Sequence, residues 1–284
     1  MQVRFVISDI DGTLVRRDKS LSERNVAAIA RLVQAGVPVS LISARPPSGM
    51  LPIIRRLDLP GPFGAFNGGT IFQRDGTVTT AHWIEADVAR ALHKLFGEMC
   101  AIRWLFADGE WLTNSRDELH TPREIKSAAI NPIVTDDVGD RLDRADKLVA
   151  VSDDNALLTR IQAEARRIAG TRATIARSQN YYLDITAVAA NKGDGVTALA
   201  QAIGVPLDTL AVLGDQDNDL PMFARAGFSV AMGQASNAVR GAADAIAASS
   251  EDDGVADAID RLLLPRVDQN AFHSVLPNGA EDRR

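Results

Sequence analysis

The chain has little cysteine, few aromatic residues, no block of one charge and no long apolar run. Its single cysteine, Cys100, among 284 residues excludes an intrachain disulfide and makes a thiol-reducing, cytoplasmic setting the natural expectation. Cys100 ends an apolar helical pattern and is expected to fill core space. No stretch of about 18 apolar residues occurs, and the first residues mix charge and apolarity without a signal-peptide core. A soluble chain that neither crosses a membrane nor is exported is the expectation. The formal net charge is −6, and no Lys/Arg block interrupts that field, so polyanionic partners such as nucleic acid are disfavoured. No G-x-G-x-x-G follows the first apolar run, and no G-x-x-x-x-G-K-[ST] appears anywhere, which argues against a dinucleotide-binding or P-loop protein. The four histidines, His82, His93, His120 and His273, lack metal-ligand spacing. Internal repeats and low-complexity tracts are absent as well. At 46% hydrophobic the chain can bury a full core, as one large domain or two ordinary ones, and its partners are expected to be small molecules.

The positive signals begin with alternating elements. Arg4 to Ser8 is a β-rich apolar run, Ser20 and Glu23 have capping-box spacing, and Val26, Ile29, Ala30 and Val33 follow helical periodicity up to Gly36. Val37 to Ser43 is a second apolar strand. A strand, helix, strand unit of this kind gives parallel strands in one sheet, and ligands then bind beyond their carboxyl ends. Two strand-like runs follow, broken by Asn67-Gly68-Gly69 and Asp75-Gly76, dipeptides that favour primed hairpin turns. From about residue 84 the pattern changes to α+β: a helix marked by Val88, Leu92, Leu95, Phe96 and Met99, and a hairpin from Ile102 to Leu112. A strand at Lys147 to Val151 follows, then a helix from Asn155 to Ala169 capped by Asp153 or Asp154, and strands at Thr171 to Ala176 and Tyr181 to Ile185. The parallel pattern then resumes with a helix from Gly193 to Ile203, a strand Thr209 to Leu213, a helix near Asp219 to Ala226 and a strand Phe228 to Met232. The expected fold class is α/β, a Rossmann-like parallel-sheet core domain with an inserted α+β domain. Its expected boundaries are 1–83 and 188–265 for the core, 84–187 for the insert and 266–284 for a loosely held tail.

Chemistry concentrates at the strand ends. Asp9 and Asp11 follow the first strand, and residues i and i+2 of an extended segment point to one side. Two carboxylates placed together at the end of a buried strand require a cation. A second acidic cluster, LGDQDND at 213–219, follows another apolar strand that the same fold logic brings to the same sheet edge. Taken singly, Asp11-Gly12 reads as a hairpin turn and the second cluster as a helix cap. At two strand ends together they point to a divalent cation, and gathered hard oxygen ligands suit Mg²⁺. Ser43, and Lys192 just before a core helix, add a hydroxyl and a cation that could hold a phosphate beside the metal.

In their order, DIDGTL at 9–14, SAR at 43–45, NKG at 191–193 and GDQDND at 214–219 resemble the four motifs of the haloacid dehalogenase-like phosphohydrolases. The chain is most similar to the Cof-type members, whose α/β cap is inserted between the second and third motifs. NGG at 67–69, LDIT at 183–186, VAMGQASNAVRGAADAI at 230–246 and DDGVADAI at 252–259 support this, and the resemblance spans roughly residues 3–263. It implies that Asp9 is a nucleophile forming an aspartyl-phosphate and Asp11 the acid/base. It further implies that Asp9, the Asp11 carbonyl and Asp215 bind Mg²⁺, with Asp219 a ligand through water or a support. Ser43, the Ala44 backbone, Arg45, Lys192 and Asn218 match substrate-phosphate positions. Ala44 stands where glycine is usual, and Gln216 where a small residue is usual.

The resemblance implies a Mg²⁺-dependent phosphatase for a small phosphomonoester, sugar phosphates first, working as a monomer or homodimer. A sugar-phosphate mutase would use the same Asp9 but pass the phosphoryl group to another hydroxyl, and a Mg²⁺/phosphate-binding regulator would bind without turnover. Within the cap, His120, Arg123, Lys126, Tyr181 and Tyr182 are expected to serve surface polarity or packing. Trp83, Trp104 and Trp111 are expected to pack the hinge and cap.

Overall fold

The computed structural model of the protein describes residues 1–115 and 119–267; of the expected tail, 266–284, all from 268 onward lies outside the described residues. The first strand, β1 (Phe5–Ser8), leads to α1 (Glu23–Gln34). Ser22, not Ser20, caps that helix: its hydroxyl accepts from the Asn25 amide, because Glu23 is already the first helical residue. β2 (Val39–Leu41) is followed by α2 (Pro47–Arg56), a helix with no forecast in the sequence pattern. Pro47, whose fixed φ suits a first helical turn, starts it.

The next three strands, β3 (Phe63–Ala65), β4 (Thr70–Phe72) and β5 (Val78–Ala81), form a small antiparallel sheet. Between β3 and β4 the expected two-residue hairpin turn is replaced by a 3₁₀ turn, Phe66–Gly68. The cause is tertiary. The Phe66 and Asn67 amides donate to the carbonyls of Arg45 and Ser43 at 3.0 and 2.7 Å, and this holds Asn67 at φ 60°.

The insert comprises α3 (Ala86–Glu98), β6 (Ile102–Ala107), β7 (Glu110–Thr113), α4 (Thr121–Ala128), β8 (Ile133–Val134), β9 (Ala145–Val151), α5 (Asn155–Ala169), β10 (Ala173–Gln179) and β11 (Tyr182–Ala187). Asp154 is the cap of α5 and accepts from the Ala156 and Leu157 amides. The six strands lie in the order β10-β11-β9-β6-β7-β8, antiparallel except for the β7–β8 pair. Alternation along the strands divides the residues between the two faces. Leu105, Leu148, Leu183 and Ile185 pack with Leu92 and Phe96 of α3 and Leu158 and Ile161 of α5. Trp104, Phe106, Trp111, Val149 and Tyr182 join a cluster with Phe63, Phe66 and Phe72 of the body.

The chain then returns through α6 (Lys192–Ile203), β12 (Leu210–Gly214), α7 (Leu220–Phe223), β13 (Phe228–Ala231), α8 (Asn237–Ala242), β14 (Ala245–Ile246) and α9 (Gly254–Ala258). The body sheet runs β14-β13-β12-β1-β2 and all of its pairs are parallel. Strand β1, between β12 and β2, pairs Ile7 with Val212 and Val6 with Val39. It is covered on both sides: Phe5 and Ile7 pack with Val196 and Leu199 of α6, whereas Val6 belongs with Ile29 and Leu32 of α1. Each such side chain contributes about 1.5–3 kcal/mol on burial. The α/β class with a sheet-rich insert is therefore the observed fold.

Two expectations about side chains fail. Cys100 is exposed, because α3 ends at Glu98 and the chain turns at Cys100 with φ 57°. Trp83 is 45% exposed, whereas Trp104 and Trp111 are buried in the cluster between insert and body.

Candidate active site

Parallel pairing brings the carboxyl ends of β1 and β12 side by side, with Ser8 opposite Leu213. The residues that follow therefore meet: one carboxylate oxygen each from Asp9, Asp215 and Asp219 can be chosen so that all lie within 4.8 Å of one another. Lys192, the first residue of α6, reaches into the cluster. Its Nζ donates to Asp9 Oδ1 at 2.5 Å and to Asp219 Oδ1 at 2.6 Å, with its side chain 1% exposed. Asn191 positions that helix start by accepting from the Asp194 amide. Asp219 Oδ2 accepts from the Asp215 and Gln216 amides at 2.7 and 2.9 Å, so both of its oxygens are engaged within the protein. Asp219 thus braces the 214–219 loop and Lys192.

Asp215 accepts from Thr13 Oγ1 at 2.9 Å and Gln216 Nε2 at 2.9 Å. Gln216, the unusual loop residue, is accommodated in this way. Gly12 sits at φ +84°, and a Cβ there would come within 2.4 Å of Asp215 Oδ2. Only glycine permits this approach of the two acidic loops.

Asp11 turns to a different partner. Its oxygens accept from Arg45 Nε and Nη2, both at 2.7 Å, and Oδ1 also accepts from Lys19 Nζ at 2.6 Å. Arg45 is held in turn by the Gly49 carbonyl at 3.1 Å. Ser43 is buried and its Oγ accepts from the Arg45 amide at 3.2 Å, while Ala44 is exposed. Asn218 lies on the exposed side of the loop and donates to Asn67 Oδ1 at 3.1 Å.

The electrostatics separate the carboxylates. Burial pushes Asp9 well above the usual carboxylate range; Lys192 pulls it back, and Asp219 and Asp215 push it further up. Asp215 is likewise raised, by burial and then by Asp219. Burial opposes charge on Lys192, but the Asp219 and Asp9 carboxylates overcome it and raise the ammonium's pKa. Asp11 is half-buried, and there the Arg45 fork and Lys19 outweigh desolvation and bring it down to about 2.

Three carboxylates converge, a single buried lysine bonds to two of them, and Asp9 and Asp215 are raised by burial and mutual repulsion. A hard divalent cation in contact with Asp9 and Asp215 would relieve both effects, so the donor set fits Mg²⁺ chemistry.

Four residues of the site have no role expected from sequence: Thr13, Lys19, Asn67 and Gln234, the last of which donates to the Gly12 carbonyl at 2.6 Å. Thr13, Asn67 and Gln234 lay inside quoted motifs and could have been singled out; Lys19 carried no signal. A further, half-buried charge cluster faces this site from the insert. Lys147 Nζ meets Asp184 Oδ2 at 3.0 Å, and Asp184 Oδ1 is buried without a hydrogen-bond partner. Glu124 of α4 is raised by burial; Lys147, Asp184, Asp11 and Arg45 all act on it electrostatically. Ionisable residues inside the apolar strands ADKLVAV and YLDITA were the available signal. Of the cap residues named from sequence, Arg123 donates to the Tyr181 hydroxyl at 2.7 Å, His120 stacks on Tyr181 at 3.6 Å, Tyr182 is buried, and Lys126 donates to the Asp18 carbonyl at 2.8 Å.

A carboxylate cluster with a buried lysine at the carboxyl end of a parallel sheet, beside a sheet-rich insert, is the setting, and relatives named as phosphatases make the protein a phosphoric monoester hydrolase. The profile of the haloacid dehalogenase-like hydrolases matches residues 6–259, and the chain belongs to that family, within its Cof-type group. It is 28% identical over 233 residues to the HMP-PP phosphatase of Escherichia fergusonii, covering 82% of this chain and 85% of that one. Against the 5-amino-6-(5-phospho-D-ribitylamino)uracil phosphatase of Bacillus subtilis, identity is 25% over 285 residues, with coverage of 92% and 98%. The crystal structure of a haloacid dehalogenase-like hydrolase from Bacteroides thetaiotaomicron superposes with a TM-score of 0.85 at 26% identity, covering 92% of this chain and all of that one. No helix among the described residues is long and apolar enough to cross a membrane.

Proposed function

We propose that the protein is a Mg²⁺-dependent phosphatase of small phosphorylated metabolites, with sugar phosphates as the first class to test, working through an aspartyl-phosphate on Asp9. The observation that carries this reading is Asp9 itself, buried, in contact with Lys192 and flanked by Asp215 and Asp219. When bound by Asp9, Asp215 and the Asp11 carbonyl, Mg²⁺ would supply the charge neutralisation that phosphoryl transfer needs. An Asp9 carboxylate oxygen attacks phosphorus and the ester P–O bond breaks. Lys192, Ser43, the Ala44 amide and Asn218 are assigned to the transferring phosphoryl oxygens.

Asp11 is assigned as the acid that protonates the departing alkoxide and as the base that then activates water. In the described conformation Arg45 and Lys19 hold it ionised, with a pKa of about 2. To donate a proton it must leave that pairing, so the Arg45 fork is a resting position from which substrate binding releases it. Residues 84–187 are read as a cap over a body formed by 1–83 and 188–265, and the cluster of Glu124, Lys147 and Asp184 is the cap's chemistry nearest Asp11. A closed cap excludes bulk water that would otherwise screen these charges.

The test is phosphate release from a panel of sugar phosphates, nucleotides and an aryl phosphate. Release of free phosphate supports the hydrolase; an isomeric phosphate ester as sole product would replace it with the mutase.

A further inference from the structure

A cavity of about 400 Å³ lies where the body, the β4–β5 hairpin and the insert meet. None of Asp9, Asp11, Ser43, Lys192, Asp215 or Asp219 lines it. Its walls are mostly apolar, with Phe66 and Leu51 from the body, Val78 and Trp83 from the hairpin and linker, and Phe106 and Ile130 from the insert. One buried acid, Asp146, also lines it. Asp146 Oδ1 accepts from Thr70 Oγ1 at 3.0 Å, and no cation stands beside it among the described residues. The nearby acids Asp108 and Glu110 are already paired, with Arg144 and Arg141. Lys147, next in sequence to Asp146 across a β-bulge, lies on the side of Phe106, with Nζ 6.0 Å from that ring's centroid, and is paired with Asp184. A volume of this size and a largely apolar lining with one convergent polar group are the properties of small-molecule pockets.

From this geometry we propose that the cavity is a second binding site, for a small organic cation: a primary amine carried on an aromatic or aliphatic body. The apolar body lies between Phe66, Phe106 and Trp83, and the ammonium donates to Asp146, supplying the charge partner that the fold leaves out. A neutral occupant of the same shape would gain the apolar contacts but leave that carboxylate unpaired. Burial raises Asp146 to about 7, with Thr70 opposing and Asp108 adding to the shift, so the group is ionised at a pH of about 8.5 and ready to pair.

The test is a calorimetric titration at about pH 8.5 of the full chain with 2-phenylethylamine and, separately, with its neutral analogue 2-phenylethanol. The amine is expected to bind about tenfold or more tightly than the alcohol. In Asp146→Asn, which can still accept from Thr70, that preference should shrink to about twofold or less. Val78→Trp fills the cavity from a half-exposed strand position and should abolish binding of both probes without changing phosphate release. Equal binding of amine and alcohol to the wild type would overturn the proposal. So would a preference retained in Asp146→Asn, unaltered binding in Val78→Trp, or no binding of the amine at about 10 mM.

Discussion

The body and the insert both bury carboxylates, and they compensate for them differently. At the body's sheet edge Asp9 and Asp219 share one lysine, Asp215 stands beside them with only neutral donors, and a fourth acid, Asp11, takes a bidentate arginine and a second lysine. In the insert, Lys147 and Asp184 are paired with each other, one Asp184 oxygen has no hydrogen-bond partner, and Asp146 has only a threonine. The first arrangement has an excess of negative charge concentrated at one point, as a divalent cation requires. The second spreads unsatisfied groups over surfaces that face the body. A buried charge left incompletely paired lowers stability unless something else binds it, so the difference separates a site built for ion chemistry from surfaces that await a ligand.

Four expectations sharpen that contrast, from the largest effect to the smallest. Asp9→Asn keeps the size of the side chain but removes the attacking charge, and should lower phosphate release by about 10³-fold or more, measured as kcat on the best substrate of the panel. Lys192→Met leaves Asp9 and Asp219 buried without a cation. The expected loss is about 3–5 kcal/mol of unfolding free energy by denaturant titration, together with the activity. Lys147→Met strands Asp184 in the same manner but farther from the reaction. About 2 kcal/mol of stability should go, while turnover of a chromogenic aryl phosphate changes by less than about tenfold. A collapse of turnover as deep as that of Lys192→Met would erase the distinction between the two regions.

The smallest effect is acidic. The folded pKa of Asp11, about 2, lies below its unfolded value near 3.8, so the Arg45 and Lys19 pairing stabilises the protein above that value and is lost as pH falls toward 2. Part of the side chain meets solvent, and the contribution is about 1–2 kcal/mol after screening. Unfolding curves of wild type and Asp11→Asn between pH 5 and 2 should therefore converge; curves that stay parallel would refute the pairing.

Much of the body was legible in the sequence because its chemistry is local to strand ends. DIDGTL and GDQDND each follow an apolar run, and parallel pairing joins them without further information. The alternation of strand and helix likewise gave the class and the insertion. What escaped depends on distant contacts. Helix α2 starts on a proline pair with little periodicity, and the 66–68 turn takes its shape from carbonyls of Ser43 and Arg45. Arg45's grip on Asp11 joins two loops 34 residues apart, and the convergence of Glu124, Lys147 and Asp184 on that side exists only once the insert is folded against the body. Cys100 was misjudged because the helix stops two residues earlier than the apolar pattern suggests.

The most direct test of the account is phosphate release across the substrate panel with and without Mg²⁺, for wild type and Asp9→Asn side by side. The account predicts release that needs the metal, is abolished by chelation and is absent from Asp9→Asn. Undiminished release from folded Asp9→Asn, or release indifferent to metal, would contradict it.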